Sequence, residues 1–328
     1  MHMMNNVEFM ENLLEPYGPQ LSLDQLVIAI NKLFHAFDAE IYDNKHREIY
    51  EQLPSIWKEM SKKVTESFKS KTLRILDFGC GTGFEAQQLL RNIPGSSIVA
   101  LTCYDPSPEM LEKCRKAVSP LFPDAIFSAS LEEVLTPNAP YTLLVTNSVL
   151  HHLPDATSMV RNLLPWLDSN AMWLAGHEPS LRFFKNSECV TKFEAYLQAR
   201  RWSPRTYAQL LKEFLHKLMR TDPYTKTARE AIRMGLFKQR PPELVIGRLI
   251  DFHVANSIEE MNLGRGFDYS VMEQELQVSW RLVWLKTYSF MGPVYEGELK
   301  GRWARSCQDL ARRFPKDGAN FSAVWQRV

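Results

Sequence analysis

Leu73–Phe78 (LRILDF) is a short apolar run that stops at a glycine-rich turn, and the alternation it begins then repeats along the chain. Further apolar runs fall at Ser97–Tyr104 (SIVALTCY), Ala125–Ala129, Tyr141–Ser148 (YTLLVTNS) and Ala171–Gly176 (AMWLAG). Between them, Phe84–Asn92, Ser107–Val118 and Thr157–Leu167 carry helical spacing. Short apolar runs suit strands covered on both faces. Strands separated by helices form βαβ units, and their right-handed crossovers call for an α/β fold with a doubly wound, mostly parallel sheet.

The flanks read differently. Residues 1–66 predict a helical cover, with apolar periodicity over Leu21–Phe37 and again over Asp43–Met60, where Pro54 interrupts it. Residues 181–269 hold no convincing strand and are too long for a loop, so they predict a helical insertion serving as a substrate lid. Leu282–Phe290 and Phe321–Val328 read as strands again, with a helix over Leu299–Phe314 between them. The core is therefore expected at 67–180 and 270–328. Hydrophobic residues make up 45% of the chain, enough for a packed core, and the net charge of +1 opposes bulk attraction to nucleic acid or anionic membrane. Five cysteines without a C-x-x-C pair predict neither a disulfide framework nor a metal site. They fit a reducing, cytoplasmic setting. Nothing in the first residues has the pattern of a signal peptide, and no stretch reaches the ~20 apolar residues of a membrane span.

The turn after the first strand reads Asp77-Phe78-Gly79-Cys80-Gly81-Thr82-Gly83. Glycines permit φ > 0 and let a ligand lie against the backbone, while the following helix offers free N–H groups. Asp105, at the end of the second strand, has two readings: a cap for the helix after Pro106-Ser107, or an acceptor for the two hydroxyls of a ribose.

LDFGCGTG, YDPSPEML and LLVTNSVLHHLPD together resemble the motifs of class I S-adenosylmethionine-dependent methyltransferases, over about residues 70–180. The resemblance implies a Rossmann-like fold and S-adenosylmethionine as cofactor. It implies that Asp77, Gly79, Cys80, Gly81 and Gly83 line the methionine portion and that Asp105 holds the ribose. Pro106, Ser107 and Met110 would then flank the adenine, with Ser130 and Leu131 at its edge. The family often has an Asp in that last loop, where Ser130 stands here. Asn147 would lie under the sulfonium. In outline the layout is also similar to azetidine-2-carboxylate synthases, which cyclise the cofactor and release methylthioadenosine.

Ligands in open α/β sheets bind at the carboxyl ends of the strands. Asn147, the pair His151-His152 and His177-Glu178 gather there by sequence, which makes Asn147, His152 and His177 the catalytic candidates; each histidine also has a packing or capping reading. Tyr42, between two N-terminal helices, reads as a cover over the cofactor or as part of a plain connector. Phe183, Phe184, Phe193, Tyr196, Trp202 and Tyr207 read mostly as core of the insertion. The excess of basic residues there, with Arg200, Arg201 and Arg205 close together, suits an anionic substrate or a solvated face. The functional expectation is methyl transfer to an O or N atom of a small secondary metabolite. The alternatives are cyclisation of the cofactor and a noncatalytic partner that keeps the fold.

Overall fold

The computed structural model describes residues 6–68, 72–135, 140–201, 222–255, 258–262, 266–277 and 279–328. Its strands are β1 (Leu73–Phe78), β2 (Ile98–Tyr104), β3 (Ile126–Ser128), β4 (Tyr141–Asn147), β5 (Leu167–Pro179), β6 (Trp280–Tyr288) and β7 (Asn320–Arg327). They form one sheet in the order β3-β2-β1-β4-β5-β7-β6. The pairings β1/β2, β2/β3, β1/β4 and β4/β5 are parallel. The strand order reverses between β1 and β4, and such a switch point opens a crevice at the carboxyl ends of the strands.

The register places the chemistry. Asp77 on β1 aligns with Cys103 on β2 and with Val145 on β4. Asn147 at the end of β4 aligns with Gly176 on β5. The strands are sunk in apolar surroundings: Ile75, Leu76, Leu143, Leu144, Val145, Met172 and Trp173 are fully buried. Behind β5, Trp173 stacks on Trp325 at 4.5 Å and meets Trp280 edge-on.

Contacts group the chain into two compact units. One comprises Met1–Phe37, Pro179–Phe267 and Thr287–Asn320; the other comprises Asp38–Glu178, Asp268–Lys286 and Phe321–Val328. Two of its boundaries fall within two residues of 180 and 269, whereas the N-terminal one lies at 37/38 rather than 66, and Thr287–Asn320 groups with the first unit. In the first unit, Met10, Leu14, Leu26, Val27, Ile30 and Phe34 share one core with Ala228, Phe237, Ile246, Leu249 and Phe252. The helical spacing of the N-terminal segment shows which of its faces is apolar, but not which partner that face meets. A second cluster in the same unit buries Phe183, Phe184, Phe193 and Tyr196 with Phe290, Met291 and Leu310, so those four aromatics are core, as their spacing predicts. Trp202, Arg205 and Tyr207 lie outside the described residues. Among the described residues of 181–268 there is no strand.

The helix Arg47–Phe68 runs unbroken through Pro54, where the sequence predicts an interruption. A mid-helix proline loses one backbone hydrogen bond and clashes with the turn before it. The buried row of Ile49, Leu53, Ile56, Trp57, Met60 and Val64 runs on both sides of the proline and holds the helix in place.

Candidate functional site

The site lies in the unit that carries the parallel strands, and the turn after β1 is its frame. The N–H groups of Gly79 and Cys80 both donate to the Tyr104 carbonyl, at 2.8 and 2.9 Å, which ties the turn to the end of β2. Gly79 has φ 75° and Gly81 φ 48°. The two glycines serve different ends. A Cβ on Gly79 would sit 2.5 Å from Val149 Cγ2, whereas one on Gly81 would meet nothing within 4 Å. Gly79 is thus a packing requirement, and Gly81 leaves open space for a ligand to approach the backbone.

Asp105 binds this turn directly. Its Oδ2 accepts from Gly81 N at 3.0 Å, and its Oδ1 accepts from Ser107 N at 2.8 Å. Burial pushes its carboxyl up to about 6, although the two backbone donors act in the opposite sense. Ser107 is the cap of the helix Pro108–Val118, its Oγ accepting from Met110 N. The helix cap is therefore Ser107 and not Asp105, whose carboxylate instead joins the turn to the approach of the helix. Met110 is buried in that helix, while Ser130 caps the short helix Leu131–Val134.

Asp77 is the anomaly. It is fully buried, and neither carboxylate oxygen has a hydrogen-bond partner. Burial holds its pKa well above the usual carboxylate range, with Cys114 and Asp105 adding to the effect. Glu85, in the first turn of the helix Phe84–Asn92, is also buried and is pushed up by burial and by Asp77. An uncompensated buried carboxylate is among the most costly arrangements in a protein interior. Asn147 Oδ1, at the end of the adjacent β4, is likewise buried without a partner. A cationic, hydrogen-bond-donating ligand would satisfy both groups. Glu85 carries no sequence signal beyond its place after the glycine turn, and only burial makes it stand out.

Residues 38–68 bring aromatics to the same turn. Tyr50 Oη donates to Asp43 at 2.5 Å and lies 3.0 Å from Thr82 Oγ1, and its ring meets Phe84 edge-on. Burial raises the phenol pKa of Tyr42, with Glu85, Tyr50, Asp38 and Asp105 adding to it. Tyr42 opens the short helix Tyr42–Lys45 and its ring lies against His46 at 4.6 Å.

The ends of β4 and β5 are clasped together. Ser148, at φ 54°, donates its N–H to Gly176 O and its Oγ to His177 O. Glu178 is fully buried. It accepts from the N–H groups of Val149 and Leu150 at 2.8 and 3.0 Å and from that of His151 at 3.3 Å. Its Oε2 also lies 2.8 Å from His151 Nδ1. His151 and His152 stack with ring centroids 4.0 Å apart. His177 sits at φ 52°, with its N–H donating to Ser322 Oγ. The structure thus places Asn147 at the end of β4, His177 on the neighbouring β5, and His152 in the 3-10 turn Leu150–His152 against His151. It also makes His151 the oriented imidazole, a preference that the His-His pair in the sequence leaves undecided.

Residues 76–173 match the family model described as a methyltransferase domain. The matched segment is less than a third of the chain, and over it the chain is similar to methyltransferase domains. Over 145 residues the chain is 28% identical to a malonyl-[acyl-carrier protein] O-methyltransferase of Halalkalibacterium halodurans, covering 41% of this chain and 52% of the relative. Over 90 residues it is 33% identical to a trans-aconitate 2-methyltransferase of Methylobacterium nodulans, covering 27% of this chain and 32% of the relative. The chain thus spans about half the length, or less, of the curated relatives it matches. A solved plantazolicin methyltransferase in complex with a monoazolic desmethylPZN analogue and SAH aligns over 93% of this chain and 97% of its own, at 13% identity and a TM-score of 0.46. The outline likeness to azetidine-2-carboxylate synthases gains no support from these methyltransferase relatives. The matched residues include the glycine turn, Asp105 and Asn147.

Proposed function

We propose that this chain transfers a methyl group from S-adenosylmethionine to an oxygen of a small acceptor. The observation that carries the reading is Asp77, a buried carboxylate with both oxygens unpaired beside an open glycine turn. The donor set fits the cofactor: Asp77 for the ammonium of its methionine part, and Asp105 for its ribose hydroxyls. Pro106, Ser107, Met110, Ser130 and Leu131 would flank the adenine, and Tyr42 would cover the site. S-adenosylmethionine supplies an activated methyl on a sulfonium, so the protein mainly has to position the acceptor and take up a proton.

Glu178 fixes the proton inventory on His151. A carboxylate only accepts, so Nδ1 carries the hydrogen and Nε2 is the basic nitrogen of the ring. His151 thereby joins His152 and His177 as a candidate proton acceptor. Oxygen is favoured over nitrogen because a relative matched by this domain is named an O-methyltransferase. No described helix is long and apolar enough to cross a membrane.

Titration calorimetry with S-adenosylhomocysteine tests the binding step, and mass spectrometry of methyl transfer to a panel of small carboxylic acids tests the chemistry. Saturable one-to-one binding that Asp77→Ala weakens, with a methylated acid as product, is the expected result. Equal affinity in Asp77→Ala, or formation of methylthioadenosine without any acceptor, would overturn the reading.

A further inference from the structure

Three of the five cysteines meet at one point inside the strand-bearing unit. Cys80 lies in the glycine turn, Cys103 on β2 and Cys114 on the helix Pro108–Val118, and all three are fully buried. Their sulfurs lie within 4.8 Å of one another, and all are free thiols. Their spacing in the sequence gives no sign of this, because the convergence is made by β-sheet register and helix packing. The backbone of all three is fixed: Cys80 N donates to Tyr104 O, Cys103 is paired within the sheet to Asp77 and Phe127, and a Cβ on Gly83 would stand 3.0 Å from the Cys114 sulfur.

We propose that Cys80, Cys103 and Cys114 form a binding site for one soft divalent cation of the zinc type. Zinc–sulfur bonds are about 2.3 Å long, so three sulfurs around such an ion stand about 4 Å apart, a small contraction from the observed envelope. Thiolates select soft ions over magnesium or calcium. The choice of a divalent over a monovalent ion follows from charge. Three S–H bonds release three protons to solvent and three metal–sulfur bonds form without electron transfer, which takes the site from neutral to −1. A monovalent ion would leave −2 beside Asp77 and Asp105, both of which interact electrostatically with Cys114. Three buried thiols also fill space as small apolar groups, and the test separates that role from ligation.

The full, reduced chain is titrated with cadmium as an optical probe, without any adenosyl compound, so the outcome is independent of the cofactor reading. One cadmium per chain with an ultraviolet thiolate-to-metal charge-transfer band is expected. Cys114→Ala and Cys103→Ala should each weaken binding at least tenfold, while Cys189→Ala leaves it unchanged. Absence of the band, or a band unaffected by the first two variants, overturns the proposal. Where those variants do not fold, X-ray absorption on the zinc-loaded wild-type chain decides: three sulfurs at about 2.3 Å support the site, and a shell of nitrogen and oxygen alone refutes it.

Discussion

Replacing Asp77 with alanine should make the cofactor-free protein more stable and at the same time cost it cofactor affinity. The structure sets the sign. The side chain is fully buried, and neither oxygen accepts a hydrogen bond, so it contributes a desolvation penalty with nothing in return until a ligand arrives. Relieving one buried unsatisfied polar group recovers ~1–3 kcal/mol. The small cavity left by truncation takes back about 0.5 kcal/mol, at roughly 24 cal/mol per Å³. The net gain is ~0.5–2.5 kcal/mol, a rise in Tm of about 1–10 °C for a domain of this size. On the other side, losing a charge-assisted contact to an ammonium weakens binding by ~1.5–3 kcal/mol, or about 10- to 150-fold in Kd. Scanning calorimetry of both proteins without ligand, followed by titration with S-adenosylhomocysteine, reads both halves. A fall in Tm for Asp77→Ala would show that the carboxylate supports the fold, and the reasoning from its unpaired oxygens would fail.

Affinity for S-adenosylhomocysteine should depend on pH through Asp105. Its carboxyl titrates at about 6 in the folded chain, and ribose hydroxyls need the ionised form. Affinity is therefore close to complete at pH 7, about halved at pH 6 and about tenfold lower at pH 5, with Asp77 acting in the same direction. Calorimetry across that range should give a shallower profile for Asp105→Asn, and an unchanged profile would reject the assignment. Glu178→Ala strands three backbone N–H groups and the His151 ring, so a loss of ~3–5 kcal/mol is expected by chemical denaturation. Tyr50→Phe removes the hydroxyl that joins Asp43 to Thr82 and should cost about 1 kcal/mol of stability, with a several-fold weaker Kd. Gly81→Val combines a positive φ with a side chain in the open space over the turn; its Kd should rise far more than its Tm falls.

Much of the site is legible in the residues alone. Strand ends, the turn and Asp105 are set by short-range rules: apolar runs, glycines where φ turns positive, and a helix cap in Ser107. Phe84–Asn92 is a helix at the bounds its periodicity predicts. β5 is longer than its apolar stretch, running from Leu167 to Pro179, because polar Asp168, Ser169 and Asn170 are carried into a strand whose apolar centre is already paired with β4. Glu178 gives no local sign of its task, since its partners, the N–H groups of residues 149–151, lie across the strand ends.

From its sequence alone the chain specifies a doubly wound sheet and a glycine turn with two acids at the strand ends, since backbone hydrogen bonding and side-chain periodicity act over a few residues. The packed structure decides which of those acids is left without a partner, which histidine is oriented, and that three distant cysteines touch. It also decides that residues 6–37 share a core with residues 222–255. Those outcomes depend on burial and on which elements meet. Both arise from long-range contacts that no local pattern encodes.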